Sequence, residues 1–348
     1  MDCHFLLNNG EAFSRNGYQR ISKDPNSIKA FAYEELLKAT ENFSPTFKLG
    51  NGEFGGIYRG VIPSANNKRE KIYIVVKEFK GSWMQLDDVE MAMNIDFLGS
   101  FHHSNLVKLL GHSKKIHGRQ TKRFLVYEYV INRSVQDALF DKSQAPLSWA
   151  SRLKIAKDTA HGLVYLHEKV EPPFIFRCFK SSKVLLDEQM NTKLMDWGLT
   201  RLGPMYRGTH EPMAFQGEDD QWTVRYCDDI VGCAAPEFIL SGAMTWQSNV
   251  WSYGVFLLEL ITGRPAFDEK KLKADKRRLL SSIRPQQLSN VDEVQRVMDP
   301  RLEGRYCLKA AHKLASLATV CLEEDPMIRP RMSTILEVID KIVDTNTM

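Results

Sequence analysis

The pattern Gly50-x-Gly52-x-x-Gly55 in "GNGEFGGI" joins two stretches of strand character. In a dinucleotide-binding unit such a pattern leads from a strand into a helix; here a second strand follows. A glycine hairpin lets backbone N–H groups approach phosphate oxygens with no Cβ in the way. Further on, Lys77 closes "IVVK" inside a strand. A lysine in a buried strand needs an anionic partner, and a nucleotide phosphate is one. Later still, "FRCFKSSK" (Phe176 to Lys183) is a basic, polar loop with Cys178 near its start, between a long amphipathic helix and "VLLDEQMNTKLMDWG".

The elements that position these residues follow from periodicity. Residues 1–28 are polar and without period, and are expected to be a flexible tail. "FAYEELLKATENFS" predicts a lead-in helix over 29–46, with Phe31, Leu36, Leu37 and Phe43 apolar and a polar end at Asn42 to Ser44. From Phe47 to Val130 strands dominate: "FKLGNGEFGGIYRGVI", "KIYIVVKEF" and "FLVYEYV" predict a small antiparallel sheet, with one helix in "DDVEMAMNIDFLGSF". The basic run "KKIHGRQTKR", Lys114 to Arg123, reads as a solvated loop before the next strand. His102 and His103 have no third ligand at helical spacing, which disfavours a metal there.

After Asn132 the pattern is helical. "SWASRLKIAKDTAHGLVYLHE" puts Leu153, Ala156, Ala160, Leu163, Val164 and His167 on one face. "VWSYGVFLLELITG" is apolar nearly all round and so deeply buried. The fold class expected is α+β and bilobal: a β-rich N-lobe over 47–130, a helical C-lobe over 131–343 and a short tail over 344–348.

At 43% hydrophobic and 26% charged residues the chain has the balance of a soluble globular protein. A net charge of +4 is too small to argue for nucleic acid. The six cysteines form no CxxC pair and no zinc spacing, which points to a reducing, cytoplasmic compartment. No apolar stretch is long enough to span a membrane. Asp2 follows Met1, which excludes N-myristoylation; acylation of Cys3 is the route left for peripheral attachment, and one chain anchors only marginally.

Glycine loop, "IVVK", "FRCFKSSK", "DWG" (Asp196 to Gly198) and "APE" (Ala235 to Glu237), in this order, resemble the eukaryotic protein-kinase signature set over about residues 43–343. "FAYEELLKATENFS", "HSNLVKLLGH", "LVYEYV", "FKSS", "VLLDE", "ELITGRPAFD", "VMDPRLEGRY" and "IRPRMSTILEVI" resemble the plant receptor-like cytoplasmic kinases of the immune-signalling group. That resemblance implies a serine/threonine-type kinase at the plasma membrane, acting below immune receptors, with ATP and Mg2+ as cofactors. It implies a nucleotide site of Gly50, Gly52, Gly55, Ile57, Val75, Lys77 and Leu185, with Asp196 as metal ligand. Two apolar lines run through such folds; here they are Leu98, Leu109, Phe176 and Trp197, and Ile57, Val75 and Leu185.

The chain departs from that family at several positions. The catalytic loop reads His/Tyr-Arg-Asp-x-x-x-x-Asn in the family. Here Arg177 and Lys180 remain, Cys178 stands at the base and Lys183 at the second metal ligand. Losing general-base assistance costs about 10²–10⁴-fold in rate. An ammonium at the metal position repels a cation by about 4 kcal/mol per unit of its charge, at about 4 Å and an effective dielectric of 20. An alternative is that this ammonium takes over part of the metal's role by pairing with phosphate. Asn94 replaces the glutamate that pairs with Lys77, with Glu90 one turn earlier, so Lys77 is expected to be less firmly placed. Val75 replaces alanine over the adenine ring, a crowding of about 1–3 kcal/mol. Asn249 replaces the aspartate that steadies the catalytic loop, and "VGCAAPE" lacks the threonine of the family's activation segment (199–235 here). Glu237 and Arg329 are kept as an anchoring pair.

These losses predict a pseudokinase with weak or absent ATP and Mg2+ binding, working as a scaffold or regulator. Its partner would be an active protein kinase or an immune receptor. Two alternatives stand beside it: a weakly active serine/threonine kinase, and a nucleotide sensor without phosphotransfer.

Overall fold

The computed structural model describes residues 28–52, 55–64, 69–79, 95–117, 120–130, 133–171, 173–176, 179–196, 232–241, 245–268 and 277–347. Cys3, Glu90, Asn94, Arg177, Cys178, Trp197 and nearly all of segment 199–235 lie outside them. Among the described residues the N-lobe is one six-stranded sheet in the order β1-β5-β6-β4-β3-β2. Its strands are β1 Lys29–Ala30, β2 Lys48–Gly52, β3 Gly55–Pro63, β4 Lys71–Phe79, β5 Leu109–His117 and β6 Gln120–Glu128.

The two-residue period of the strands sorts the sheet into faces. On β4 and β6, Ile74, Val76, Phe124 and Val126 turn outward and are closed over by Phe31, Leu36 and Ala39. Val75, Phe79, Leu125 and Tyr127 turn the other way, into the core shared with the C-lobe. Lys77 alternates with Val76 and therefore lies on this inner face, buried. The covering helix α1, Tyr33–Ala39, is shorter than the sequence predicts. Lys29–Ala30 pairs in parallel with β5, and Glu41, Asn42 and Phe43 take left-handed backbone conformations that end the helix.

The basic run also differs from expectation. Its described residues are strand: Lys114 opposes Arg123 and Lys115 opposes Lys122 across the β5–β6 hairpin. Like charges facing each other weaken such a pair. Here Glu34 lies 3.1 Å from the Lys115 ammonium and Glu78 lies 3.5 Å from that of Lys122, which offsets the repulsion.

The C-lobe is helical. After α2 (Val135–Phe140), α3 (Trp149–Val164) starts at Ser148, whose hydroxyl accepts from the Ser151 N–H at 3.1 Å. It buries Leu153, Ala156, Ala160 and Leu163, as the periodicity requires. A short hairpin follows, β7 Val184–Leu186 against β8 Thr192–Leu194. Its turn is tied by Asp187, whose carboxylate accepts from the N–H of Gln189 and of Asn191 at 2.9 and 2.8 Å. Then come α4 Pro236–Ser241 and α5 Trp246–Thr262, the latter buried without interruption from Ser248 to Thr262. Gly263 caps α5 in the left-handed region at φ 59°, and a Cβ there would meet the Asp299 carboxylate at 2.2 Å. α6 Leu279–Ser282, α7 Val291–Val297, α8 Leu308–Cys321 and α9 Met332–Thr347 complete the lobe. No helix among the described residues is long and apolar enough to cross a membrane.

Arg329 donates to both oxygens of Glu237, at 2.6 and 3.0 Å, and so fixes α4 against the segment before α9. This is the anchoring pair read from the sequence.

Candidate active site

The β7–β8 register sets the centre of the cleft. Val184 pairs with Leu194, and the Met195 N–H donates to the Lys183 carbonyl at 2.9 Å. Lys183 and Asp196 therefore leave the two strands side by side. Asp196 has a left-handed backbone at φ 62°, a conformation that aspartate adopts more readily than most residues. Its carboxylate is buried, with 7% of the side chain exposed.

Two ammonium groups share that carboxylate. Lys77 donates to Oδ1, and Lys183 donates to Oδ2 at 2.5 Å. Burial alone would raise the Asp196 carboxyl; the charges of Lys77 and then Lys183 overcome it and hold the group well below the ordinary carboxylate range. Lys77 is thus paired with Asp196 across the lobes. Glu90 and Asn94, the positions considered for its partner in the sequence, lie outside the described residues.

The other residues expected at a nucleotide site stand on β2, β3, β4 and β7. Ile57 opposes Lys77, and Val75 lies between Arg59 and Tyr127 in the sheet. Val75 and Leu185 are half-buried against the core, as Ile57 is in its strand. Leu98, Leu109 and Phe176 are buried in the same core. Gly50 opens into free space, whereas a Cβ on Gly55 would meet the Glu78 carbonyl at 2.4 Å. Packing therefore requires a glycine at 55, independently of any phosphate.

Tyr127 was not singled out from the sequence. It lies on the inner face of β6, and burial together with the Asp196 charge pushes its phenol far above the ordinary value. The alternation of "FLVYEYV" carries the signal, since it places Tyr127 on the face of Val75 and Lys77.

Asn249 does more than its replacement of an aspartate suggests. Its Oδ1 accepts from the Phe176 N–H at 2.7 Å, and its Nδ2 donates to the Phe176 carbonyl at 2.8 Å. A carboxylate could only accept. The loop is thus held at Phe176 by α5, and His167 Nε2 lies 3.1 Å from the same Oδ1. Burial lowers His167 to about 4, so the ring is neutral and donates here.

Below the loop, Glu259 on α5 is 4% exposed and accepts from the Ala266 N–H at 2.8 Å. Burial pushes its carboxyl up to about 7, although Ala266, Ser181 and the charge of Lys180 pull it down. The folded pKa is raised, so Glu259 contributes stability that is complete below the unfolded value and lost as pH rises through 7. Glu259→Gln should therefore gain Tm relative to the parent between pH 6 and pH 8.5, by the equivalent of about 1 kcal/mol. Parallel melting curves at the two pH values would refute this assignment.

Residues 44–339 match the family described as protein tyrosine and serine/threonine kinase. The chain is 41% identical over 333 residues to the serine/threonine-protein kinase PCRK1 of Arabidopsis thaliana, covering 96% of this chain and 76% of that protein. PCRK2 of the same plant matches with the same identity and coverage. The probable serine/threonine-protein kinase PBL3, also from Arabidopsis thaliana, is 37% identical over 93% of this chain and 72% of its own.

Magnesium prefers near-octahedral oxygen ligation at about 2.0–2.1 Å. Asp196 does not fit that requirement here, because an ammonium hydrogen-bonds each of its oxygens.

Proposed function

Since this chain belongs to the protein tyrosine and serine/threonine kinase family, on its receptor-like cytoplasmic branch, we propose that it is a catalytically impaired member working as a protein-interaction module in plant receptor and immune signalling. Kinases of this fold in general use ATP and Mg2+. The observation that supports impairment is the Lys183 ammonium on Oδ2 of Asp196, the carboxylate that would hold the metal in a working site. Cys178 at the base position supports the same reading from sequence. An active protein kinase or an immune receptor is the partner class proposed. Cytoplasmic residence with peripheral membrane contact through an acylated Cys3 belongs to the same proposal.

The second reading, a weakly active serine/threonine kinase, is favoured by the relatives' names and by what the fold retains. Lys77 and Asp196 face each other, Asn249 holds Phe176, and Glu237 pairs with Arg329. Incubation with labelled ATP and a generic protein substrate separates the two. The impaired reading expects transfer no greater than that of Lys77→Ala. Robust, Lys77-dependent labelling would establish the active kinase instead.

A further inference from the structure

The four residues Ile28 to Phe31 touch both apolar cores of the N-lobe. Ile28 packs against the inner core, the cluster that holds Ile95, Leu98, Leu109 and Tyr127. Phe31 is buried in the outer one, with Leu36, Phe124 and Val126. Between them Lys29 and Ala30 run exposed along β5, in register with Gly111 and His112, and the Phe31 N–H donates to the His112 carbonyl at 2.8 Å. The chain thus wraps round the edge of the sheet from one face to the other.

Two glycines seat this crossing. A Cβ on Gly99 would collide with Cδ1 of Ile28, and one on Gly111 with the Lys29 carbonyl and the Phe31 ring. Neither glycine has a left-handed backbone, so the missing Cβ serves the close approach and not a turn. Gly99 ends the helical residues 95–99. The stretch after it reaches the cleft. The Leu194 N–H donates to the Asn105 carbonyl at 2.8 Å, the Val107 N–H to the Leu194 carbonyl at 2.9 Å, and the Asn105 side-chain amide to the Thr192 carbonyl at 2.9 Å. Asp196 stands two residues beyond Leu194 on the same strand run. Residues 99–107 are therefore held by Ile28 at one end and by β8 at the other.

We propose that Ile28 to Phe31 form a regulatory strap, with Ile28 as a positioning residue: docked, it braces residues 99–107 and through β8 keeps Asp196 on Lys77; released, it loosens that contact. A two-residue edge strand with both side chains exposed belongs to the parts of a fold that open locally at least cost, which supplies the two states such a device needs. Residues 1–27 join the described fold at Ile28, so whatever draws on them acts at the first residue of the strap. The inference holds whether or not the cleft transfers phosphate.

Hydrogen–deuterium exchange of the full chain and of its Ile28→Asp variant tests this, beside acylation of Lys77 by acetic anhydride read by mass spectrometry. The variant should raise exchange rates at least about fivefold at residues 105–107 and 192–196, as well as at 109–113. Lys77 should acylate faster by a similar factor, while exchange in α8 stays at the parent rate. Gly99→Val displaces Ile28 from the other side of the contact and should reproduce both changes, so the test stands even if Ile28→Asp fails to fold. The double variant should be no worse than either single one, because both break the same contact. Faster exchange confined to residues 28–31 and 109–113, with Lys77 unchanged, would overturn the proposal and leave the strap a local cover. Faster exchange in α8 to the same degree would overturn it too, as a general fall in stability.

Discussion

Asp196→Asn should destabilise this protein by about 3–5 kcal/mol, the usual cost of removing one partner from a buried ionic cluster. In a cleft where the metal ligand faces open solvent, the same change would leave the fold nearly untouched. Here the carboxylate lies between the ammonium groups of Lys77 and Lys183. An amide cannot neutralise either. Both ammonium groups then lose the charged partner they share. Thermal melting should show the loss as a fall of roughly 5–10 °C. Lys183→Asn alone removes the outer charge and leaves the Lys77–Asp196 pair, so its cost should be small. Combined with Asp196→Asn it should restore part of the lost stability, with a coupling above about 1 kcal/mol. Added sulfate should also raise the Tm of Asp196→Asn more than that of the parent, by replacing the missing negative charge. A single variant that melts within about 1 °C of the parent would mean that the cluster does not hold the lobes together.

Much of this cluster could be read from the chain, but its geometry could not. The two-residue period of "KIYIVVKEF" already puts Lys77 on the face of Val75, and the buried helix in "VWSYGVFLLELITG" follows from its unbroken apolarity. What the residue types alone left open was which atom Lys183 would take. The answer lies in the β7–β8 register, where the turn tied by Asp187 brings Lys183 level with Met195. A hairpin drawn through "VLLDEQMNTKL" would have brought the two residues together. In the sequence Asn249 is a departure from aspartate, yet the geometry uses its donor as well as its acceptor. In the basic run around Lys115, charge on both faces hides a strand's alternation; Glu34 and Glu78, distant in sequence, make it tolerable as a strand.

Arg152→Met should be as damaging as Asp196→Asn, at about 3–5 kcal/mol, and for a reason confined to the helical lobe. Arg152 is wholly buried. Its Nε donates to the Leu147 carbonyl at 3.0 Å, its Nη1 to the Leu260 carbonyl at 2.8 Å and its Nη2 to Asp299 at 2.6 Å. One side chain thus ties the start of α3 to the end of α5 and to the turn at Asp299. Burial would raise the Asp299 carboxyl, but Arg152 and the Arg301 backbone and side chain hold it below the ordinary range. This contribution is present above the unfolded pKa and is lost as pH falls through the lowered one. Methionine fills the volume but leaves two carbonyls without their donor and Asp299 with Arg301 alone. Asp299→Asn should cost less, because the amide oxygen still accepts from Arg152. The double variant Arg152→Met with Asp299→Leu should recover part of the loss, as apolar replacement of a buried ion pair often does. The sequence carried the warning: Arg152 stands one turn before Ala156 and two before Ala160, on the face the helix buries. Arg152 and Asp196 share no partner among their described contacts, so their costs should add within about 0.5 kcal/mol. A clear departure from additivity in Tm or denaturant midpoint would mean that closure of the cleft is coupled to packing at the base of the C-lobe.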